Sequence, residues 1–472
     1  MKLNRIAQLQ RREFLRRSAQ LGLAGVAAPW ALNLAAIGQA AAADSSGGYK
    51  ALVCLFLYGG NDYGATLMPA DAAGHANLVT LRGGNGGGNL VTPRASLAAT
   101  TLSPRIALTG PGASGTQLAM SPALGALKPL FDAGQLGWLL NVGTLIQPTT
   151  KAQYQAASVP LPPKLFSHND QQSVWQAGGT EGSTKGWGGT IGDLFLNANS
   201  TSTFTCINAS SNAVFMSGQQ AVQYQVSNNG AVPINGIQTS LFGSTQCAQA
   251  LRSLITAPRT NWMEAEYNRV TARSITAEGI VKSALPATLP FSTVFDTTSS
   301  LHRQLQMVAR LIAARSTLGA QRQVFFVSLG GFDNHDFLVD QHPGLLSQVG
   351  SGLATFHAAL TELGVADRVT TFTGSDFGRT LTSNGDGSDH GWGSHHIVMG
   401  GAVQGRRFWG DMPVLANNGP SDVGQGRLLP STSVDQLAAT LAKWMGVSDT
   451  EMRTVVPNIG NFSVKDLGFF SP

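Results

Sequence analysis

Cysteine is scarce in this 472-residue chain, which contains only Cys54, Cys206 and Cys247. They form no C-x-x-C pair and have no zinc-finger spacing, which excludes a cysteine-rich scaffold and a structural zinc finger. Cys54 lies within an apolar stretch, and we expect it to be buried and inert. Cys206 and Cys247 could pair in an oxidising compartment, although nothing in the sequence requires it.

Charged residues are also few, at 12% of the chain, and the net charge of +5 comes from the N-terminus. Residues 1–43 contain six basic residues and one acidic residue, which accounts for the whole excess, so the rest of the chain is close to neutral. The basic isoelectric point is therefore no sign of a nucleic-acid or anionic-lipid partner. We expect no nucleic acid to bind.

Residues 1–43 have the pattern of a targeting segment. The stretch QRREFLR at 10–16 resembles the twin-arginine export signal, and a mildly apolar stretch at 21–37 precedes four alanines. That stretch is short and interrupted, which favours export with cleavage near Ala43 over a membrane anchor. No later stretch is long and apolar enough to form a stable membrane span. The sequence thus predicts a periplasmic or secreted protein, exported by the twin-arginine machinery, with one mature domain over 44–472.

Apolar runs alternate with stretches of helical periodicity along the chain. The apolar runs lie at 50–57, 137–142, 323–329, 368–372 and 397–399, and the helical stretches at 122–133, 301–318, 345–363 and 433–445. Continuous apolar runs are typical of strands buried on both faces, and their alternation with helices predicts an α/β fold with a parallel sheet. Residues near 82–115 and 199–290 break this pattern and are predicted to be loop-rich insertions.

Histidine is concentrated in one part of the chain. Six of the nine histidines lie between residues 333 and 396, and they are His335, His342, His357, His390, His395 and His396. Three aspartates follow apolar runs by a few residues: Asp62 in YGGNDYG, Asp333 in GGFDNHD and Asp376 in TGSDFGR. Because the carboxyl ends of parallel strands meet at one edge of a sheet, we expect these side chains to converge.

Converging carboxylates repel one another unless a cation neutralises them. Aspartate oxygens mixed with imidazole nitrogens suit zinc, manganese or iron better than calcium. For each residue alone, a cap or turn role for an aspartate and a surface position for a histidine are the alternatives. The grouping of the set favours a divalent metal site.

Five motifs together resemble the DUF1501 family, twin-arginine-exported relatives of the alkaline phosphatase and sulfatase superfamily. They are YGGNDYGATLMP (58–69), LFSHNDQQSVWQAG (165–178), GGFDNHD (330–336), SDFGRT (375–380) and DHGWGSHHIVMGG (389–401). The resemblance implies an alkaline-phosphatase-like, mostly parallel sheet flanked by helices. It also implies a metal-dependent hydrolase acting on a small phosphate or sulfate ester, with one or two divalent ions, zinc or manganese.

The resemblance assigns roles to individual residues. The implied metal ligands are Asp62, Asp333, His335, Asp376 and His390, with His395 or His396 as substitutes for His390. Phe377 follows Asp376 where the superfamily has a second ligand, which leaves the second ion open.

The implied nucleophile is Ser167, which a neighbouring metal would activate. His168 would donate to the leaving group or a non-bridging oxygen, and Arg379 would clamp a non-bridging oxygen. Ser167 and Asp170 also have the S-x-x-D spacing of a capping box, so a purely capping role is the alternative.

Other chemistries lack their motifs. The sequence contains no G-x-S-x-G elbow and no Walker A motif, and GGNGGG at 83–88 does not fit G-x-G-x-x-G. The competing hypothesis is a non-catalytic binding or assembly protein on the same fold, with one structural metal or none.

Overall fold

The computed structural model describes residues 44, 47–83, 90–178 and 182–471. The predicted export signal therefore lies outside the described residues. Among the residues that are described, no helix combines the length and apolar character needed to cross a membrane.

Fourteen strands are present in the described part of the chain. They are β1 (Lys50–Leu57), β2 (Leu67–Pro69), β3 (Leu118–Met120), β4 (Leu136–Gly143), β5 (Cys206–Asn208), β6 (Tyr224–Ser227), β7 (Gly230–Ala231), β8 (Arg322–Leu329), β9 (Val369–Ser375), β10 (Arg379–Ser383), β11 (Ser388–His390), β12 (Ser394–Met399), β13 (Phe408–Trp409) and β14 (Thr432–Ser433).

The α-helices of the same residues are α1 (Tyr63–Thr66), α2 (Ala72–Arg82), α3 (Lys128–Asp132), α4 (Lys151–Gln155), α5 (His168–Ala177), α6 (Trp187–Phe195), α7 (Thr245–Thr256), α8 (Trp262–Ala284), α9 (Ser300–Ala313), α10 (Leu338–Glu362), α11 (Val434–Met445) and α12 (Met452–Val455). Short 3-10 helices, such as Arg94–Thr100 and Pro122–Leu127, lie between them.

One ten-stranded sheet organises the described residues, in the order β13-β4-β12-β9-β1-β8-β5-β6-β7 with β14 beside β4. β1 lies at its centre, parallel to β8 and to β9. β12 is antiparallel to both of its neighbours, β4 and β9, and β7 is antiparallel to β6. The prediction of an α/β fold with a mostly parallel sheet flanked by helices is confirmed.

Helices cover both faces of the sheet, which explains why its central strands β1, β8 and β9 are buried along almost their whole length. On one face, Leu305 and Val308 of α9 and Phe356 of α10 belong to a core cluster that includes alternate residues of β1 and β8. On the other face, Ile191 of α6 and Leu441 of α11 belong to a second cluster with the intervening strand residues. The two clusters fix the sheet as a rigid platform for the loops at its ends.

Sequence periodicity placed the main helices correctly but not all their ends. α11 begins after Ser433, which forms a capping box with Gln436, close to the predicted start. α10 was predicted over residues 345–363 from its helical periodicity. The structure has it begin at Leu338, with Pro343 inside it.

The segment predicted as the second insertion contributes to the sheet. β5 is parallel to β8 and β6 is parallel to β5, so this segment extends the sheet at one edge. α7 and α8 follow it. Cys206 is buried on β5, whereas Cys247 is exposed on α7, and neither forms a disulfide. The boundaries of the two insertions stay a prediction.

Three buried histidines make the folded state sensitive to acid. Burial lowers the pKa of His342 and His395 to about 4 and that of His396 to about 3. A histidine in an unfolded chain has a pKa of about 6.5, so unfolding takes up protons below that pH. The stability associated with these neutral side chains is therefore complete above about pH 6.5 and decreases as the pH falls towards about 4.

The His396→Gln variant tests this linkage. Between about pH 7 and about pH 5, one such histidine should lower the free energy of unfolding by about 2 kcal/mol. Asp435 works in the opposite direction, because burial raises its pKa to about 7, but it is the same in both proteins. We therefore expect the variant to lose about 2 kcal/mol less than the parent in denaturant unfolding with EDTA present. Equal losses would contradict the interpretation.

Candidate metal site

Strand ends and one helix start bring together the residues of the candidate site. Asp333 and His335 follow β8, Asp376 follows β9, and His390 ends β11. His168 is the first residue of α5 and comes from a different part of the chain. The site lies at the carboxyl ends of β8 and β9, where ligands bind in open parallel sheets.

Three imidazoles surround the carboxylate of Asp333 with their Nε2 atoms. His168 Nε2 lies 3.3 Å from Asp333 Oδ2, and the Nε2 atoms of His335 and His390 lie 3.1 Å and 3.3 Å from Oδ1. The Nε2 atoms of His335 and His390 are 2.9 Å apart. One possible ligand atom each from His168, Asp333 and His390 lies within 4.8 Å of the others. The side chain of Asp333 is 44% exposed, so the group is open to a substrate.

The other ring nitrogen of each histidine contacts an oxygen. The partners of Nδ1 are Asp376 Oδ2 for His168 (2.7 Å), Asp389 Oδ1 for His335 (3.1 Å) and the carbonyl oxygen of Phe166 for His390 (2.7 Å). A carbonyl oxygen or a carboxylate only accepts, so each Nδ1 is the donor. In the neutral form each Nε2 then presents a lone pair. Metal-binding histidines are commonly oriented in this way by a second hydrogen bond.

The close approach of the three Nε2 atoms and the Asp333 carboxylate oxygens shows whether a metal fits the site. Two neutral imidazoles whose Nε2 lone pairs face each other at 2.9 Å cannot form a hydrogen bond. Burial lowers the pKa of His390, which favours its neutral form, whereas the hydrogen bond to Asp376 raises the pKa of His168. A divalent cation would satisfy nitrogen and oxygen donors together. The donor set fits zinc, manganese or iron.

Arg379 holds Asp333 in place. Its Nη1 donates to Asp333 Oδ1 at 2.6 Å and to the carbonyl of Gly59 at 3.2 Å, while Nε and Nη2 donate to Ser388. Burial raises the pKa of Asp333, but the hydrogen bond and charge of Arg379 outweigh it, so the pKa is lowered. Arg379 was predicted to clamp a substrate oxygen. Most of its N–H groups are already engaged within the protein.

The structure does not bring Asp62 into the group around Asp333. Its Oδ2 forms an ion pair with Arg82 Nη2 at 2.7 Å and accepts a hydrogen bond from Ser388 Oγ at 2.7 Å. Its Oδ1 caps α1 by accepting from the backbone N–H of Ala65. Burial raises the pKa of Asp62, but Arg82 and the other partners outweigh it. The guanidinium supplies the positive charge that the sequence assigned to a metal.

Neither of the late histidines joins the site. His395 accepts a hydrogen bond at Nδ1 from the backbone N–H of Asn141, and His396 Nδ1 lies 3.2 Å from Thr373 Oγ1. Both are buried on β12. Successive side chains of a strand point to opposite faces, so only one of the two could ever have faced a common ligand. The substitution of His390 by either residue is not supported by this geometry.

Of the three histidines around Asp333, Asp376 contacts only His168. Its Oδ2 accepts from His168 Nδ1 and from Gln172 Nε2, and its buried Oδ1 has no partner among the described residues. Phe377, which the sequence flagged as unable to ligate, packs against His168 and His390 at ring-centroid distances of 4.9 Å and 4.7 Å. It forms an apolar wall beside two possible ligands.

Ser167 is the N-cap residue of α5, as its position in the sequence predicts. Its Oγ donates to Asp170 Oδ2 at 2.6 Å and makes no capping bond to the helix backbone. The expected capping box is therefore replaced by a side-chain pair. The preceding Phe166 has φ of 73°, a left-handed conformation that is uncommon outside glycine. The catalytic roles of Ser167, His168 and Arg379 stay predictions.

Arg427 and Phe166 are neighbours of the site that sequence reasoning missed. Arg427 Nε donates to the carbonyl of His390 at 2.8 Å, and its guanidinium lies 4.6 Å from the centroid of the Phe166 ring. Arg427 follows no apolar run and stands in a glycine-rich loop, so no pattern connected it with the histidines.

The described residues thus form an α/β protein with a histidine-rich candidate metal site at the carboxyl ends of two parallel strands. The chain belongs to the family described as "Protein of unknown function (DUF1501)", whose model matches residues 49–460. No curated protein matches it significantly.

Solved structures with similarity to the chain include three proteins or domains. They are the lipoteichoic acid synthase LtaP from Listeria monocytogenes (7% identity, TM-score 0.33, covering 88% of this chain and 76% of that one), the PsFucS1 sulfatase from Pseudoalteromonas sp. (10%, 0.34, 90% and 74%) and the C-terminal periplasmic domain of EcEptC from Escherichia coli in complex with Zn (10%, 0.33, 88% and 88%). Identities and TM-scores this low transfer no substrate or mechanism to this chain.

Proposed function

We propose that the protein is an exported, metal-dependent hydrolase of phosphate or sulfate esters. One divalent ion, zinc or manganese, would be held by Asp333, His168, His335 and His390. The observation that carries the proposal is the convergence of three Nε2 atoms on one carboxylate, with every Nδ1 tied to an oxygen. A single ion is favoured over two because Arg82 already neutralises Asp62.

The residues of the chain would share the work around the ion. When bound, the ion would stabilise negative charge that develops on the phosphoryl or sulfuryl group. Asp376, Asp389 and the Phe166 carbonyl orient the imidazoles, and Arg379 fixes Asp333. Ser167 is the candidate nucleophile, and Asp170, 2.6 Å from its Oγ, is placed to accept the hydroxyl proton.

The proposed location of this activity is the periplasm or the outside of the cell, after export. The twin-arginine-like segment at 10–16 supports it, together with the uncharged stretch and the alanines that follow. The substrate would then be a small ester in the periplasm or outside the cell.

Metal analysis and an ester screen of the mature chain test the proposal. We expect about one zinc or manganese per chain and cleavage of an aryl phosphate or an aryl sulfate. Ser167→Ala should lower kcat by a factor of roughly 100 or more if Ser167 is the nucleophile. Ser96→Ala, at an exposed serine of a 3-10 helix, is the matched control and should leave kcat unchanged.

A non-catalytic binding or assembly protein is the second candidate. It is favoured by Ser167, whose Oγ contacts Asp170 and none of the histidines that surround Asp333. Stoichiometric metal without turnover of any ester would support this candidate. Absence of metal from the purified chain, with no uptake on addition of zinc or manganese, would contradict the hydrolase.

A further inference from the structure

Arg427 lies beside the candidate metal site, and only part of its guanidinium is engaged within the protein. Its Nε donates to the carbonyl of His390, the residue whose Nε2 faces Asp333. The guanidinium also lies over the ring of Phe166, whose carbonyl accepts from His390 Nδ1. The terminal atoms Nη1 and Nη2 have no hydrogen-bond partner among the described residues. Two donor groups are therefore left at the edge of the site.

The loop that carries Arg427 is held rigidly. The buried carboxylate of Asp422 accepts from the backbone N–H groups of Asn418, Gly424 and Gly426 at 2.7 to 2.9 Å. Gly426 has φ of 74°, and a Cβ there would lie 2.7 Å from the Cβ of Leu381, so this turn requires glycine. The direction in which Arg427 leaves the loop is thus set by the backbone.

Arg427 differs from Arg379 in what its donors do. The contacts of Arg379 are to Asp333, Gly59 and Ser388, so it acts within the protein. Arg427 is anchored by Nε alone and stacked on an aromatic ring, which leaves the planar fork of its Nη atoms open. Such a fork matches two oxygens of a phosphate or sulfate group.

The charges around the site are compatible with an anion once a metal is bound. Arg379 compensates Asp333, and Asp376 and Asp389 are each engaged by a histidine. Because the metal-binding imidazoles are neutral, the charge of −3 on Asp333, Asp376 and Asp389 would be balanced by Arg379 and a divalent ion. Arg427 would then supply the net positive charge that an anion needs. Without the ion, the exposed carboxylate of Asp333 would oppose a second anion.

We propose that Arg427 binds the non-bridging oxygens of a phosphate or sulfate group at the candidate metal site. The choice of ligand rests on the proposed function, but oxyanion binding itself needs no turnover. Arg427 is a substrate-binding residue in this arrangement, and its Nε contact with the backbone carbonyl of His390 anchors its own side chain.

Titration calorimetry of the zinc-loaded chain with inorganic phosphate and inorganic sulfate tests the inference. We expect Arg427→Gln to weaken binding of the preferred anion about 10-fold to 100-fold, and Arg427→Lys to recover part of the loss. Arg406→Gln is the matched control, because Arg406 is exposed and its Nε also donates to a backbone carbonyl, that of Ser103. Its affinity should equal that of the parent. Zinc content, measured on the same samples, should be unchanged in all variants.

Three results of the titration and the zinc measurement would overturn the inference. They are an unchanged anion affinity in Arg427→Gln, a loss of zinc from that variant, and no binding of either anion to the zinc-loaded parent. Loss of anion affinity in Arg427→Gln would support it even if no ester is hydrolysed, in which case the hydrolase proposal alone would fail. Where an ester is cleaved, KM should rise in Arg427→Gln, and cleavage with an unchanged KM would overturn the role of Arg427 alone.

Discussion

Replacing Arg82 by methionine should lower the free energy of unfolding by about 3 to 5 kcal/mol. The change leaves the carboxylate of Asp62 buried without the guanidinium that compensates it. Both side chains are almost completely shielded from water, at 0% and 1% exposure, so solvent cannot replace the lost partner. Chemical denaturation of the parent and the variant measures the difference.

The double variant Asp62→Asn/Arg82→Met separates the ion pair from simple loss of packing. Asparagine keeps the capping oxygen of α1 but removes the charge, so most of the lost stability should return. Arg269→Met removes an exposed partner of Glu266 and should cost at most about 1 kcal/mol. A double variant as unstable as Arg82→Met would show that the buried charge is not the cause.

The His390→Ala variant should bind zinc at least about 100-fold more weakly than the parent. Loss of an outer hydrogen-bond partner already reduces metal affinity by about 10-fold to 100-fold, and removal of a ligand should exceed that. The variant also removes the imidazole 2.9 Å from His335 Nε2. Competition with a chromophoric chelator measures the affinity.

His75→Gln is the control for this experiment, because His75 lies on α2 and contacts the carbonyl of Thr92. It should bind zinc as the parent does. Undiminished zinc affinity in His390→Ala would mean that a proton, and not a metal, lies between the Nε2 atoms of His335 and His390. The metal-site hypothesis would then be wrong. Circular dichroism of each variant establishes that the fold is retained.

The sequence predicted the convergence of polar side chains that follow neighbouring strands, and Asp333 and His335 do lie together. The stretches that became β1 and β8 are long and mostly apolar, β9 is rich in threonine, and Asp333, His335 and Asp376 follow β8 and β9 within a few residues. Their meeting follows from parallel strands ending at one edge. His390 could be included because it stands in the histidine-rich part of the chain.

Sequence reasoning did not find contacts between side chains that lie far apart along the chain. Arg82 lies 20 residues from Asp62, at the end of a helix that precedes a glycine-rich stretch, and nothing local pairs the two. His395 and His396 were predicted as substitutes for His390, but on β12 their Nδ1 atoms contact the backbone N–H of Asn141 and Thr373 Oγ1. Arg427 could not be assigned to the site from the sequence, because it contacts a backbone carbonyl and the face of an aromatic ring.

The wide spacing of the site residues along the chain has a thermodynamic consequence. His168 and Asp376 are in direct contact although 208 residues separate them, so the site exists only when both halves of the chain have folded. An ion that binds the native chain and not the unfolded one raises the melting temperature by mass action. The bound ion would act as a reversible cross-link between distant parts of the chain. A chelator would then lower the melting temperature of the whole fold and not only the stability of one loop.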